Sequence, residues 1–322
     1  MGMREANDNA SGLKAHPLGS LETIAIIIGT NIGAGVLSMA YAARKVGSLI
    51  FFVPSALVLY LGLKALGVGE KLISAGMVAI VCILIGATLM HDDARLAHLW
   101  QSQWQYVVPV FNLAVFVFGA QFLVPELVRG NLATPGRVPR LIVVGMLLTF
   151  LLVAAIPASV IALVGPDNLS EVATLSWGRS LGQWAYYVAN TFALLAMLTS
   201  YWGLGGCLFT NIFDHFRLGS ETNRRKRLAV LAAVSVPPFL LAYAGLGGFV
   251  NALYFAGTFG GVLMGIIPIL LLNAARRHGD QLPAFSCGWY AHPLIQGLIV
   301  LVFASSGVYA IASALGMLPA SW

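Results

Sequence analysis

Three short stretches of this 322-residue sequence carry groups that could do chemistry. The first is Gly29-Thr30-Asn31-Ile32-Gly33-Ala34-Gly35 within an apolar run, where three glycines with Thr and Asn make a poor continuous helix. A break there offers bare peptide groups. Inside a membrane such backbone survives only against protein or a polar cavity, where its amides and carbonyls can hold small ions and zwitterions. The half-helix that starts after the break points its N-terminal amides toward that cavity, a favourable seat for a carboxylate. Ala34 and Gly35 would supply them. Gly29 and Gly33 also fit G-x-x-x-G helix packing, which alone would account for them.

The second stretch shifts that balance. Phe118-Gly119-Ala120-Gln121 sits at the centre of another apolar run, with Pro109 and Pro125 toward its ends. Two interrupted spans suggest a transporter. The third stretch is Ala196-Met197-Leu198-Thr199-Ser200, where one carbonyl and two hydroxyls share a helical face. Such neutral oxygens suit a hard monovalent cation, although buried Ser and Thr also bond back to their own helix. Gly257, Gly260, Gly261 and Gly265 fit packing or a hinge equally well and carry no chemistry.

The elements that position these stretches are membrane helices. The chain is 59% hydrophobic and 9% charged with a mean hydropathy of +0.85, whereas a soluble domain is charged at roughly a quarter of its positions. The net charge of +6 is spread between apolar runs rather than clustered on a soluble face, which excludes a nucleic-acid binder. Cys82, Cys207 and Cys287 are far apart and form neither a disulfide framework nor a metal pattern. The polar first nineteen residues lack the apolar core of a cleaved signal peptide.

About 20 apolar residues are needed to cross a hydrocarbon layer of about 30 Å. Nine stretches qualify: 22–43, 48–68, 72–90, 106–128, 139–164, 183–212, 228–247, 249–273 and 292–315. Residues 1–20 form a cytoplasmic tail and 21–322 a single transmembrane domain. With the N-terminus inside, the cytoplasmic segments hold Arg4, Lys14, Lys64, Lys71, Arg129, Arg137, Arg140, Arg217, Arg224-Arg225-Lys226-Arg227, Arg276 and Arg277. Only Arg44, Lys45, Arg95 and Arg179 remain outside. The positive-inside bias therefore sets the N-terminus in the cytoplasm and the C-terminus in the periplasm. Trp100, Trp104, Tyr106, Trp177, Trp184, Tyr186 and Tyr187 fall at interfacial depth, as anchors.

Read in order, these pieces resemble the hydroxy and aromatic amino-acid permease family, in its tyrosine/tryptophan branch within the amino acid, polyamine and organocation superfamily. Thr30 to Ala40 resembles the family's first-helix signature and Leu59 to Ala65 its fourth helix. Val117-Phe118-Gly119-Ala120-Gln121 with Val124-Pro125 resembles the sixth, where many members have His at the position of Gln121. Leu198 to Gly203 resembles the eighth, while Pro237-Pro238 and Gly248 to Gly257 resemble the ninth and tenth. The family's second and third helices have no counterpart between Gly47 and Ser48.

The resemblance implies an all-α, shortened leucine-transporter-type inverted-repeat fold with discontinuous first and fourth spans. It implies a bacterial inner-membrane symporter that imports a neutral, aromatic amino acid with H+ or Na+ by alternating access. The substrate would sit on Gly33, Ala34, Gly35, Phe118, Gly119, Ala120 and Gln121. A sodium site like that of related superfamily members would use Gly29, Ile32, Ala196, Thr199 and Ser200. The missing helix pair also allows a non-transporting relative that binds an amino acid or acts through a partner helix or a homodimer.

No charged or histidine residue falls near the middle of an expected span, since Glu22, Lys64, Glu126 and Asp214 all approach the cytoplasmic ends. Intramembrane proton relays usually need such a group, so the coupling ion stays open. Nothing reads as an enzyme. The six histidines have no second His or carboxylate at metal-binding helical spacing, and no G-x-S-x-G elbow occurs.

Overall fold

A computed structural model describes residues 20–24, 26–27, 48–61, 63–101, 104–170, 173–219, 223–244, 256–279 and 288–317. Their regular structure is helical. The helices are α1 (Ser48–Leu61), α2 (Leu63–Leu89), α3 (Val107–Val117), α4 (Val124–Gly130), α5 (Val138–Val164), α6 (Ala173–Leu181), α7 (Gln183–His215), α8 (Arg224–Ala244), α9 (Gly261–His278) and α10 (Pro293–Ala314). Residues 20–24 and 26–27 are helical as well.

Six stretches of the described residues are long and apolar enough to cross a bilayer, which makes this a multi-pass membrane protein. They are Gly67–Leu89, Trp104–Gly130, Pro135–Val164, Gln183–His215, Gly257–His278 and Pro293–Ala312. These coincide with six of the nine expected spans. The other three, 22–43, 48–68 and 228–247, each run into residues outside the described set.

The chain divides into two compact units. One comprises Met1–Gln101 and Phe122–Leu246, the other Ser102–Gln121 and Gly247–Trp322. The first unit is built round α7, of whose span 61% is buried against 28% or less for the other five. Its core joins Met77, Val81 and Leu84 of α2, Ile156, Val160 and Leu163 of α5, Trp177 of α6, and Ala185, Ala189, Phe192 and Ala196 of α7. The repeated alanines let α7 lie close to its neighbours. At one end of this core the Trp177 indole donates to Thr88 Oγ1 at 3.0 Å, and Thr88 donates to the Leu84 carbonyl at 2.9 Å. Both polar groups are thereby satisfied away from water. At another edge Asn131 donates to Thr23 Oγ1 at 3.1 Å and to the Leu127 carbonyl at 2.8 Å.

One expected boundary moves. The spans 48–68 and 72–90 leave a loop at 69–71, but α2 runs unbroken from Leu63 to Leu89 and absorbs it. Leu59 lies by Gly205 of α7, and Gly69 of α2 lies by Trp202. A Cβ on Gly69 would stand 2.9 Å from the Trp202 ring.

The shift carries Glu70 into the membrane. It is the fourth residue of the apolar stretch Gly67–Leu89, about 12 Å along the axis from the middle residue Val78 and so toward the end of the stretch.

In the second unit α9 and α10 pack with α3. A Cβ on Gly265 would overlap the Phe303 ring at 2.5 Å, and Phe303 stacks at a tilt on Phe111 with centroids 5.9 Å apart. Of packing and a hinge, packing accounts for Gly261 and Gly265. The segment Ala256–Gly260 ahead of α9 is a π-helix.

Gly69→Val should lower thermal stability in detergent by about 1–3 kcal/mol, because it overpacks the α2–α7 contact. Gly76→Ala, where an added Cβ meets nothing within 4 Å, should be neutral or stabilising through helix propensity.

Candidate functional site

The fourth expected span is interrupted near its centre. Its α-helical ladder stops after Val117, passes Phe118 and Gly119, tightens into a 3-10 turn over Ala120–Leu123, and resumes at Val124. The Phe118 amide still donates to the Ala114 carbonyl at 2.8 Å, while the Ala120 amide turns to the Phe118 carbonyl at 2.8 Å. Pro125, which lacks an N–H, is suited to the first turn of a new helix. Ala120 is buried; Phe118, Gly119 and Gln121 are half-buried.

Each half of the span is tied to its own unit by a polar pair. In the second unit, Ser306 of α10 donates to Asn112 Oδ1 on α3, and both residues are buried. In the first unit, Thr210 of α7 donates to Glu126 Oε1 on α4 at 2.5 Å, with Arg129 Nη1 at 3.8 Å from the same oxygen. The chain thus passes from one unit to the other within the 3-10 turn, between Gln121 and Phe122.

Ala196, Thr199 and Ser200 are buried at the middle of α7. The Thr199 hydroxyl donates to the Ala196 carbonyl at 2.8 Å, which is the bond back to its own turn that such residues commonly make. Gly29, Ile32, Gly33, Ala34 and Gly35 lie outside the described residues. The described part of the site is therefore Phe118–Gln121 and, separately, the Ala196–Ser200 face.

Several buried polar groups were missed by sequence reasoning. Arg227, within a basic cluster read as an orientation signal, is buried; its guanidinium donates to the Tyr60 carbonyl and lies over the Tyr60 and Phe209 rings at 5.1 and 5.6 Å. The expected orientation role does not require such seating. Asn112 and Ser306 were single polar residues in apolar runs, and pairing across 194 positions leaves no local signal. Glu70 did leave one: Gly67, Glu70, Ser74, Met77, Val81, Leu84 and Thr88 alternate at three and four residues, the spacing of one buried helix face.

The profile of the tryptophan/tyrosine permease family matches residues 39–305. A tryptophan-specific transport protein of Pseudomonas aeruginosa is 24% identical over 311 residues, covering 91% of this chain and 72% of that relative. One of Haemophilus influenzae is 25% identical over 301 residues, covering 86% of this chain and 70% of the relative.

Thr210→Val should cost about 1–3 kcal/mol in thermal unfolding by removing a donor from a half-buried carboxylate. Thr210→Ser, which keeps the hydroxyl, should recover most of that loss.

Proposed function

Because the chain belongs to the tryptophan/tyrosine permease family, we propose that it is a secondary active permease importing a neutral, aromatic amino acid with a coupling cation by alternating access. It is a transporter rather than an enzyme. Tryptophan is the first substrate to test, since both relatives are named for its transport. Family membership across most of the chain favours this reading over that of a non-transporting relative.

The observation that carries the reading is the interruption at Phe118–Leu123 inside an apolar stretch long enough to span a membrane. Backbone that leaves the helical ladder at that depth must find partners in protein, water or a ligand. A zwitterion has what such a break can use. Its ammonium takes carbonyl oxygens and its carboxylate takes amides. On this reading the peptide groups of Phe118, Gly119 and Ala120, with the Gln121 amide, receive the ammonium and the side chain. The carboxylate goes to the amides of Gly33, Ala34 and Gly35. The chain is a shortened form without the family's second and third helices, set in a bacterial inner membrane with its N-terminus in the cytoplasm.

Purified protein in proteoliposomes should accumulate labelled tryptophan when a proton or sodium gradient is imposed. Failure to accumulate or exchange any amino acid across a full panel would contradict the reading. Gln121→Leu should raise the apparent KM for substrate about tenfold or more, the loss expected when a hydrogen bond to a charged group is removed. An unchanged KM would count against the placement.

A further inference from the structure

Glu70 is the polar group whose burial the fold leaves unexplained. Its side chain is 0% exposed, and among the described residues neither carboxylate oxygen has a hydrogen-bond partner. No ion pair among the described residues reaches it either. It sits in the seam of α2 that runs through Gly67, Ser74, Met77, Val81, Leu84 and Thr88, the face from which the core against α7 is built. Its neighbour in sequence, Gly69, lies on the ring of Trp202, whose buried indole N–H likewise has no partner among the described residues.

The helices packed on α2 are α1, α5, α6 and α7. Their titratable or charged side chains do not compensate Glu70. Arg140 of α5 and Arg179 of α6 are exposed, as is Lys71 on α2 itself. Tyr201 of α7 donates to Ser235 at 2.7 Å, Cys207 carries no positive charge, and Tyr60 of α1 is half-buried and covered by Arg227.

A carboxylate taken out of water without a counter-charge is too costly to persist in a membrane protein by chance, and such residues mark ion pathways. We propose that Glu70 binds the coupling cation of this transporter. The inference rests on the permease reading for the word coupling, but the cation site itself does not. A proton neutralises the carboxylate with no further ligand, whereas a sodium ion would need oxygen ligands beyond the Glu70 carboxylate.

The test uses purified full-length protein with two readouts. The first is thermal unfolding in detergent while sodium replaces potassium at fixed pH, and separately while pH is lowered at fixed salt. The wild type should gain at least 3 °C with one of the two cations, whereas Glu70→Gln should show no shift with either. The second is tryptophan flux in proteoliposomes. Glu70→Gln should keep counterflow exchange within about twofold of wild type and lose gradient-driven accumulation at least tenfold, and Glu70→Asp should keep part of the accumulation. The gradient that drives the wild type identifies the cation. A wild type whose stability answers to neither cation overturns the proposal, as does a Glu70→Gln protein that accumulates substrate like wild type. Loss of exchange and accumulation together in a folded Glu70→Gln protein also overturns it, since the residue would then serve translocation itself. A Glu70-dependent stability shift in a protein that moves no amino acid supports the cation site and strikes the permease reading alone.

Discussion

Hydrocarbon offers no hydrogen-bond partners, and every feature of this chain answers to that fact. Where the sequence is uninterrupted, the helix satisfies its own backbone and the apolar side chains face lipid, as Leu147, Leu151 and Leu270 do. Where the ladder is interrupted, at Phe118–Leu123, the backbone has to find partners outside the regular α-helical pattern. The same rule makes a buried Glu70 costly while leaving the paired Trp177, Thr88 and Asn131 unremarkable. A membrane protein can therefore be read by asking which polar groups its own fold fails to satisfy.

Two arrangements follow for the interrupted span. Asn112 with Ser306 fastens its first half within one compact unit, and Glu126 with Thr210 fastens its second half within the other. Each anchor is a polar pair in a largely apolar setting, and the segment between them carries neither. The Phe118–Leu123 segment is the stretch of this span where the α-helical ladder is interrupted. On α7, by contrast, the Thr199 hydroxyl already serves the Ala196 carbonyl, so that helix reads first as a packing post.

Much of this was legible in the sequence. The apolar run over Trp104–Gly130 and the Gly and Pro placements within it announced both a span and its irregular centre, because helix propensity and hydrophobic length act locally. The helix α2 runs through the expected loop at 69–71 for a physical reason: Gly69, Glu70 and Lys71 have loop-like types, and only the Trp202 ring on a distant helix shows that Gly69 makes room for a close contact. The same holds for Asn112 and Ser306, which gain meaning only from each other. The heptad-like seam that contains Glu70 was present in the sequence, and the carboxylate within it looked ordinary only on the assumption of a loop.

The claim that the peptide groups of the interrupted span grip the substrate is tested most directly by amide hydrogen exchange across 107–130 in the reconstituted protein, with and without saturating tryptophan. The expected result is fast exchange confined to 118–123 in the free protein and marked slowing there on addition of tryptophan, with 107–117 unchanged. Uniformly slow exchange along the whole stretch, indifferent to tryptophan, would contradict it.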